Sequence, residues 1–213
     1  MMNRRFEKLA QVIKVDWLHK LRGTVVCIAS GPSLTEADCV RVRASGLPTI
    51  VTNTTYQRCP WATVLLGHDW TWWQVHHREV RRVFRGHCVT GEASGRRFGA
   101  QYLGALKLNT FRNAGCAAIS LAVLAGARRV ILLGYDGRFA ADGRTHWHGD
   151  HPVGLLGNCG SLPKWPERFA AVAVHAREQG VEVLNASRET AHEAFARVAL
   201  EDVLPIVEQR SAA

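Results

Sequence analysis

Thr24-Val25-Val26-Cys27-Ile28-Ala29-Ser30-Gly31-Pro32-Ser33-Leu34 is the stretch whose reading decides the fold. Its first half is a short apolar, β-branched run, the pattern of a buried strand, and Gly31-Pro32 then forces a turn. Thr35-Glu36-Ala37-Asp38 reads as the first turn of a helix, with Ser33 or Thr35 as its cap. A strand, a small-residue loop and a helix N-terminus together favour an anion, because backbone N–H groups and the helix dipole point at whatever sits there. Ser30, Gly31, Pro32 and Ser33 are therefore expected to hold the phosphates of a nucleotide.

Outward from that loop, strands and helices alternate. Residues 5–20 fit an amphipathic helix with Phe6, Leu9, Val12, Ile13 and Trp17 on one face. Residues 38–44 continue the helix after the loop, 49–52 are a second strand delivering Asn53, and 62–66 are a third ending at His68-Asp69. Residues 91–100 read as a flexible basic loop and 105–109 as a short strand. Asn113-Ala114-Gly115 opens a helix through Ala125, and Arg129–Leu133 is a second clear buried strand ending in Gly134-Tyr135-Asp136. A helix over 165–179, a strand over 181–184, a helical turn over 190–196 and a final helix over 200–208 complete the pattern. The expectation is α/β: one Rossmann-like domain over 1–213, an open, mostly parallel sheet flanked by helices. Ligands in such sheets sit at the C-terminal ends of strands, where Ser30-Gly31, Asn53, His68-Asp69 and Tyr135-Asp136 all fall.

The 213 residues, 47% hydrophobic and 21% charged, suit one folded domain. No apolar run approaches the ~20 residues of a membrane span, and the basic N-terminus lacks a signal-peptide pattern. A cytoplasmic protein is expected. Six scattered cysteines without a C-x-x-C pair argue against a disulfide framework or structural zinc. A formal charge of +9 favours polyanionic partners. Trp70 to His77 runs into Arg78, Arg81, Arg82 and Arg85: either a tryptophan-rich core helix with a solvated arginine side, or a groove that stacks bases and contacts phosphates.

Residues 139–163 are polar, Gly-rich and too long for a plain connection, and read as a His/Trp-rich lid loop. Within it, Thr145-His146-Trp147-His148-Gly149-Asp150-His151 has the H-x-H-x-D-H spacing with which metallo-β-lactamase-like hydrolases build a zinc site. That fold places the string directly after an apolar strand, whereas residues 138–144 (RFAADGR) precede it here. The same histidines also suit general acid–base catalysis near neutral pH, with His146, His148 or His151 as the base and Asp150 beside them. A hydrogen-bonded loop scaffold is the third reading.

Three blocks together, IASGPSL, the run from Asn113 to Asp136 (NAGCAAISLAVLAGARRVILLGYD), and the histidine lid with a downstream VEVLNAS, resemble the sialyltransferase-like glycosyltransferases of family 42 and the related domain-of-unknown-function 115 proteins. The second group includes archaeal-type hydroxymethylpterin diphosphokinases and small phage proteins. The resemblance spans roughly residues 24–190. It implies a nucleotide near Ser30–Ser33, contacts from Asn53, a substrate segment at Asn113–Gly115, and a lid histidine as the base that deprotonates the acceptor hydroxyl. Ala29-Ser30 stand where that family has Gly-Asn.

The leading expectation is a nucleotide-dependent, glycosyltransferase-like enzyme using a nucleotide-sugar donor. A divalent metal is compatible with that chemistry but not required, and no residue is assigned to one. Tyr135 and Asp136 are expected at the nucleotide, with His68, Asp69, Arg138 and Arg144 toward the substrate. DNA is a candidate acceptor, as in phage DNA modification, and a homo-oligomer is compatible. The alternatives are an ATP-dependent diphosphokinase with Asp136 and Asp69 on magnesium, a non-catalytic nucleotide- or nucleic-acid-binding protein, and the zinc hydrolase.

Overall fold

The computed structural model describes residues 15–106, 108–109, 111–151, 155 and 159–204. Eight strands form one sheet: β1 (Gly23–Ile28), β2 (Thr49–Thr52), β3 (Val64–Gly67), β4 (His87–Thr90), β5 (Gln101–Tyr102), β6 (Ala127–Leu133), β7 (Glu182–Asn185) and β8 (Ala196–Arg197). Their order is β5-β4-β3-β2-β1-β6-β7-β8, and every pairing is parallel. The chain runs outward from β1 to β5, then returns to lay β6 against the other side of β1. That reversal is a topological switch point, where open α/β sheets leave a crevice beyond the strand ends.

The helices are α1 (Glu36–Ser45), α2 (Trp70–Val83), α3 (Ala114–Ala125), α4 (Trp165–Glu178) and α5 (Leu200–Val203). Because a strand alternates faces, each continuous apolar run supplies two cores. Val25, Cys27, Val130 and Leu132 pack under α3 and α4, while Val26, Ile28, Ile131 and Leu133 pack under α1 and α2. Helix α3 is buried almost all round, since it lies on β1, β2, β3 and β6 and against α4. Complete burial of a side chain such as Ile119 or Leu121 contributes roughly 1.5–3 kcal/mol relative to exposure. Local signals set the helix ends: Thr35 and Asp38 form a capping box on α1, and Asn113 caps α3 by accepting the Cys116 N–H at 3.1 Å.

Several local expectations are corrected. The open parallel sheet flanked by helices is as expected, but β4 is a strand that hydrophobic alternation did not flag. The proposed strand over 105–109 is replaced by a 3-10 turn at Gly104–Leu106, with the adjacent strand at Gln101–Tyr102. The basic segment 91–100 contains a 3-10 helix at Ala93–Phe98. The stretch 190–196 is not helical; it leads into β8. Of the N-terminal helix, Asp16–Leu21 is 3-10 helix and residues 5–14 lie outside the described residues, as do residues 205–208 of the last helix. No described helix is long and apolar enough to cross a membrane.

Candidate functional site

The two glycine-containing turns at the switch point interlock. Ala29 N–H donates to Leu133 O and Gly31 N–H to Gly134 O, each at 2.8 Å. A Cβ on Gly31 would lie 2.3 Å from Asp136 Oδ1 and 2.5 Å from Gly134 O, so only glycine allows this approach. The buried Asp136 carboxylate accepts the Ser33 N–H at 2.7 Å and the Ser33 hydroxyl at 2.9 Å. Burial pushes its pKa up to about 6, against the opposing pull of those bonds from Ser33.

This arrangement corrects the expected phosphate cradle. Leu34 N–H donates to Gly31 O, and Thr35 N–H donates to Asp38, whose buried carboxylate is gripped by Arg188 at 2.7 and 2.9 Å. The N–H groups of Gly31, Ser33, Leu34 and Thr35 are thus spent inside the chain, and Pro32 has none. Ser33 and Asp136 tie β1 to β6, and the helix α1 terminus already faces the chain's own carboxylates.

Above this lock lies a cavity of about 590 Å³, within the range of ligand pockets. Its floor is Ser30–Pro32 and Gly134–Arg138. One flank carries Asn53, His68, Asp69 and Glu92, from the ends of β2, β3 and β4. Asn53 has φ +46°, and its Oδ1 accepts the His68 N–H at 3.3 Å. The opposite flank is the start of α3, with Arg112, Asn113, Ala114 and Gly115. First-turn N–H groups of a helix lack intrahelical acceptors and carry the positive end of the dipole. The chain enters α3 through Phe111 and Arg112 at φ +47° and +53°, conformations that cost on the order of 1–3 kcal/mol each in such residues. Tyr135 is buried beneath, its hydroxyl donating to Gly115 O at 3.1 Å. Trp165, Phe169 and His192 close the far end.

The lid docks on the floor. Trp147 N–H donates to Ser30 O at 3.0 Å, Ser30 Oγ sits 3.0 Å from His146 Nδ1, and the Arg58 guanidinium lies 3.9 Å from the Trp147 ring centre. His146, His148 and His151 form a near-equilateral cluster with ring centres 5.0, 4.9 and 5.0 Å apart. Burial, reinforced by the neighbouring imidazoles, pushes His148 down to about 3. Burial also lowers His151, against the pull of Asp150 and Asp69. His76 of α2 is lowered by burial and by His151. Beside this cluster, one ligand atom from each of His68, Asp69 and Glu92 lies within 4.8 Å of the others. Glu92 also accepts the Trp70 N–H at 3.2 Å, capping α2 where Asp69, at the N-cap position, makes no capping bond.

Of the residues singled out from sequence, Ser30, Gly31, Pro32, Asn53, His68 and Asp69 line the cavity, as do Asn113, Gly115, Tyr135, Asp136, Arg138, His146 and His151. Ser33 and His148 stand behind its wall. Asp150 is exposed and accepts the Thr145 hydroxyl at 2.6 Å, and Arg144 pairs with Asp142 at 2.7 Å away from the cavity. Arg138 is 3.9 Å from Glu189. Arg112, Glu92, Trp165, Phe169 and His192 escaped sequence reasoning. The Asn113 cap signal pointed to Arg112's neighbourhood, but Glu92 follows a strand that was itself unread. The H-x-H-x-D-H string follows no strand, and the described residues from Gly134 to Gly160 form only turns, bends and irregular chain.

No protein-family model, curated protein or solved structure matches this chain.

Proposed function

We propose that the cavity binds a nucleotide and that the chain is a nucleotide-dependent transferase, using a nucleotide-sugar donor and an acceptor hydroxyl. The observation that carries this reading is a cavity at the switch point with an anion-seeking flank, the α3 N-terminus and Arg112, facing a wall that carries His146 and His151. The donor's phosphates lie against Arg112 to Gly115, with Arg138 at the mouth. The acceptor oxygen attacks the anomeric carbon, the bond from that carbon to the phosphate oxygen breaks with its electron pair on the nucleotide, and the hydroxyl proton passes to the histidine wall. The resemblance to sialyltransferase-like enzymes supports the same chemistry, with the phosphates at α3 rather than α1. An ATP-dependent diphosphokinase using Asp136 on magnesium has less support, because both Asp136 oxygens are engaged by Ser33.

A thermal-shift screen with CMP, UDP, GDP, ATP and their sugar conjugates tests the proposal. A ligand at 100 times its Kd stabilises the fold by about 2.7 kcal/mol, and Arg112→Ala is expected to abolish most of that gain. A panel without any stabilising nucleotide would sink the reading.

DNA as acceptor draws support from one further contact. Trp70 lines the cavity while packing on Phe98 at 4.7 Å, with Arg97 at 5.9 Å above its ring. A basic, aromatic rim of this kind suits a single strand. DNA binding that weakens steeply with salt is expected, and salt-independent or absent retention would remove DNA as acceptor.

A further inference from the structure

Phosphate recognition accounts for the α3 flank but not for the far end of the cavity, where the wall changes character. His192 lines the cavity there although only 7% of it is exposed. Its backbone N–H donates to Thr190 Oγ1 at 3.0 Å, whereas neither ring nitrogen is hydrogen-bonded to a described residue. Burial alone pushes the ring's pKa down to about 4. At neutral pH the imidazole therefore carries one N–H donor and one bare nitrogen acceptor. A polar side chain buried to this degree without a partner calls for one. Its aromatic neighbours have their own polar groups engaged: Trp165 Nε1–H donates to Ser161 Oγ at 2.9 Å, and the Tyr135 hydroxyl donates to Gly115 O at 3.1 Å. Around His192 the wall is thus flat and apolar. The Phe169 ring centre lies 4.0 Å away, and the Trp165 ring 6.4 Å away with its plane turned by 25°.

We propose that this aromatic end receives the nucleobase of the ligand, with Trp165 and Phe169 against the base and His192 hydrogen-bonded to its edge. The inference rests on the nucleotide reading above and adds where the base sits. Aromatic side chains stack any base, because every base has a π-face. A neutral imidazole with one donor and one acceptor can meet either kind of group on a base edge. The same features disfavour a phosphate here, since a buried charge without a partner is costly. The two ends of the ligand's path adjoin. A Cβ on Gly115, in the first turn of α3, would lie 3.3 Å from Phe169 Cζ. A phosphate at the α3 N-terminus and a base on the Phe169 side are therefore neighbours, as one sugar ring between them requires. Trp70 is the competing platform, because it also lines the cavity, but its ring already packs on Phe98 at 4.7 Å.

The test is calorimetric titration of the full chain with CMP, UMP, GMP and AMP, each compared with ribose 5-phosphate, which keeps the sugar and phosphate and lacks the base. At least one nucleotide should bind about tenfold more tightly than ribose 5-phosphate, a gain within reach of base stacking on an aromatic side chain. Trp165→Ala and His192→Phe should each remove most of that preference and leave the affinity for ribose 5-phosphate unchanged. Nucleotides that bind no better than ribose 5-phosphate would overturn the base site, as would a preference that survives both substitutions. In either case the phosphate site at α3 stands. No binding by any of these ligands overturns both readings together. Should a variant fail to fold, nuclear Overhauser contacts from the base protons in the wild type decide. Contacts to the Trp165 and His192 rings support the site, and contacts to Trp70 in their place refute it.

Discussion

His192 offers a sharp test of how the far end of the cavity is built. Its ring is buried, 4.0 Å from the Phe169 ring centre and stacked on Trp165 at 6.4 Å. The Gly137 backbone is so close that an added Cβ would come within 2.7 Å of the imidazole. Burial is the sole cause that pushes its pKa down to about 4 from the ordinary 6.5. A histidine depressed in the fold binds fewer protons there than in the unfolded chain, so stability rises with pH between the two values. The contribution is fully present above about 6.5 and is lost as pH falls toward 4. Each unit is worth about 1.4 kcal/mol, giving a loss of about 2 kcal/mol from pH 7 to pH 5 and about 3 kcal/mol by pH 4. His192→Gln removes the titrating group while keeping a polar tip. Urea unfolding of both proteins from pH 4 to 7 gives the difference in ΔG, which cancels the other histidines. The wild type should lose its advantage over the variant by those amounts as the pH drops. A difference that stays flat to within 0.5 kcal/mol, on the order of the non-additivity between independent sites, would show that the ring is solvated and that the aromatic end of the cavity is open.

The remaining predictions concern the lock and its neighbours. Gly31→Ala places a methyl group against Asp136 and Gly134 O and should cost roughly 2–3 kcal/mol in chemical denaturation; a neutral result would disprove the interlock. Arg188→Ala leaves the buried Asp38 with only Thr35. Because Arg188 is half exposed, the expected cost at pH 7 is about 1–2 kcal/mol. Burial alone would raise Asp38, but Arg188 and Thr35 outweigh it and hold it below the ordinary value. The stability it contributes is therefore present above the unfolded pKa near 4 and disappears as pH falls through the lower folded value, so the two proteins should converge in acid. Ser30→Ala removes the partner of His146 Nδ1 and should cost about 1 kcal/mol or less in stability. Transfer activity should nonetheless fall at least tenfold, and unchanged activity would exclude Ser30 as the group that positions His146.

Much of the fold was legible because its signals are local. Val25–Ile28 and Val130–Leu133 are continuous apolar runs, as strands covered on both faces must be. Thr35, Asn113, Gly46 and Gly126 mark helix ends through their own side chains or positive φ. Strand β4, His87-Cys88-Val89-Thr90, was missed because its alternation is too short and mixed to stand out, and only pairing with β3 makes it a strand.

The sequence by itself determined the alternation of strands and helices, the glycines of the two turns and the cluster of histidines, because each depends on neighbours within a few positions. Tertiary structure decided what those residues do. Nothing local to Ser33 foretells that Asp136, from a strand far along the chain, takes its donors and closes the expected phosphate cradle. Nor could spacing tell that Arg112, Glu92 and His192 would share one cavity with the lid. Both outcomes follow from the strand order, which brings β6 beside β1. An N–H group is open to a ligand only when no other part of the chain has claimed it.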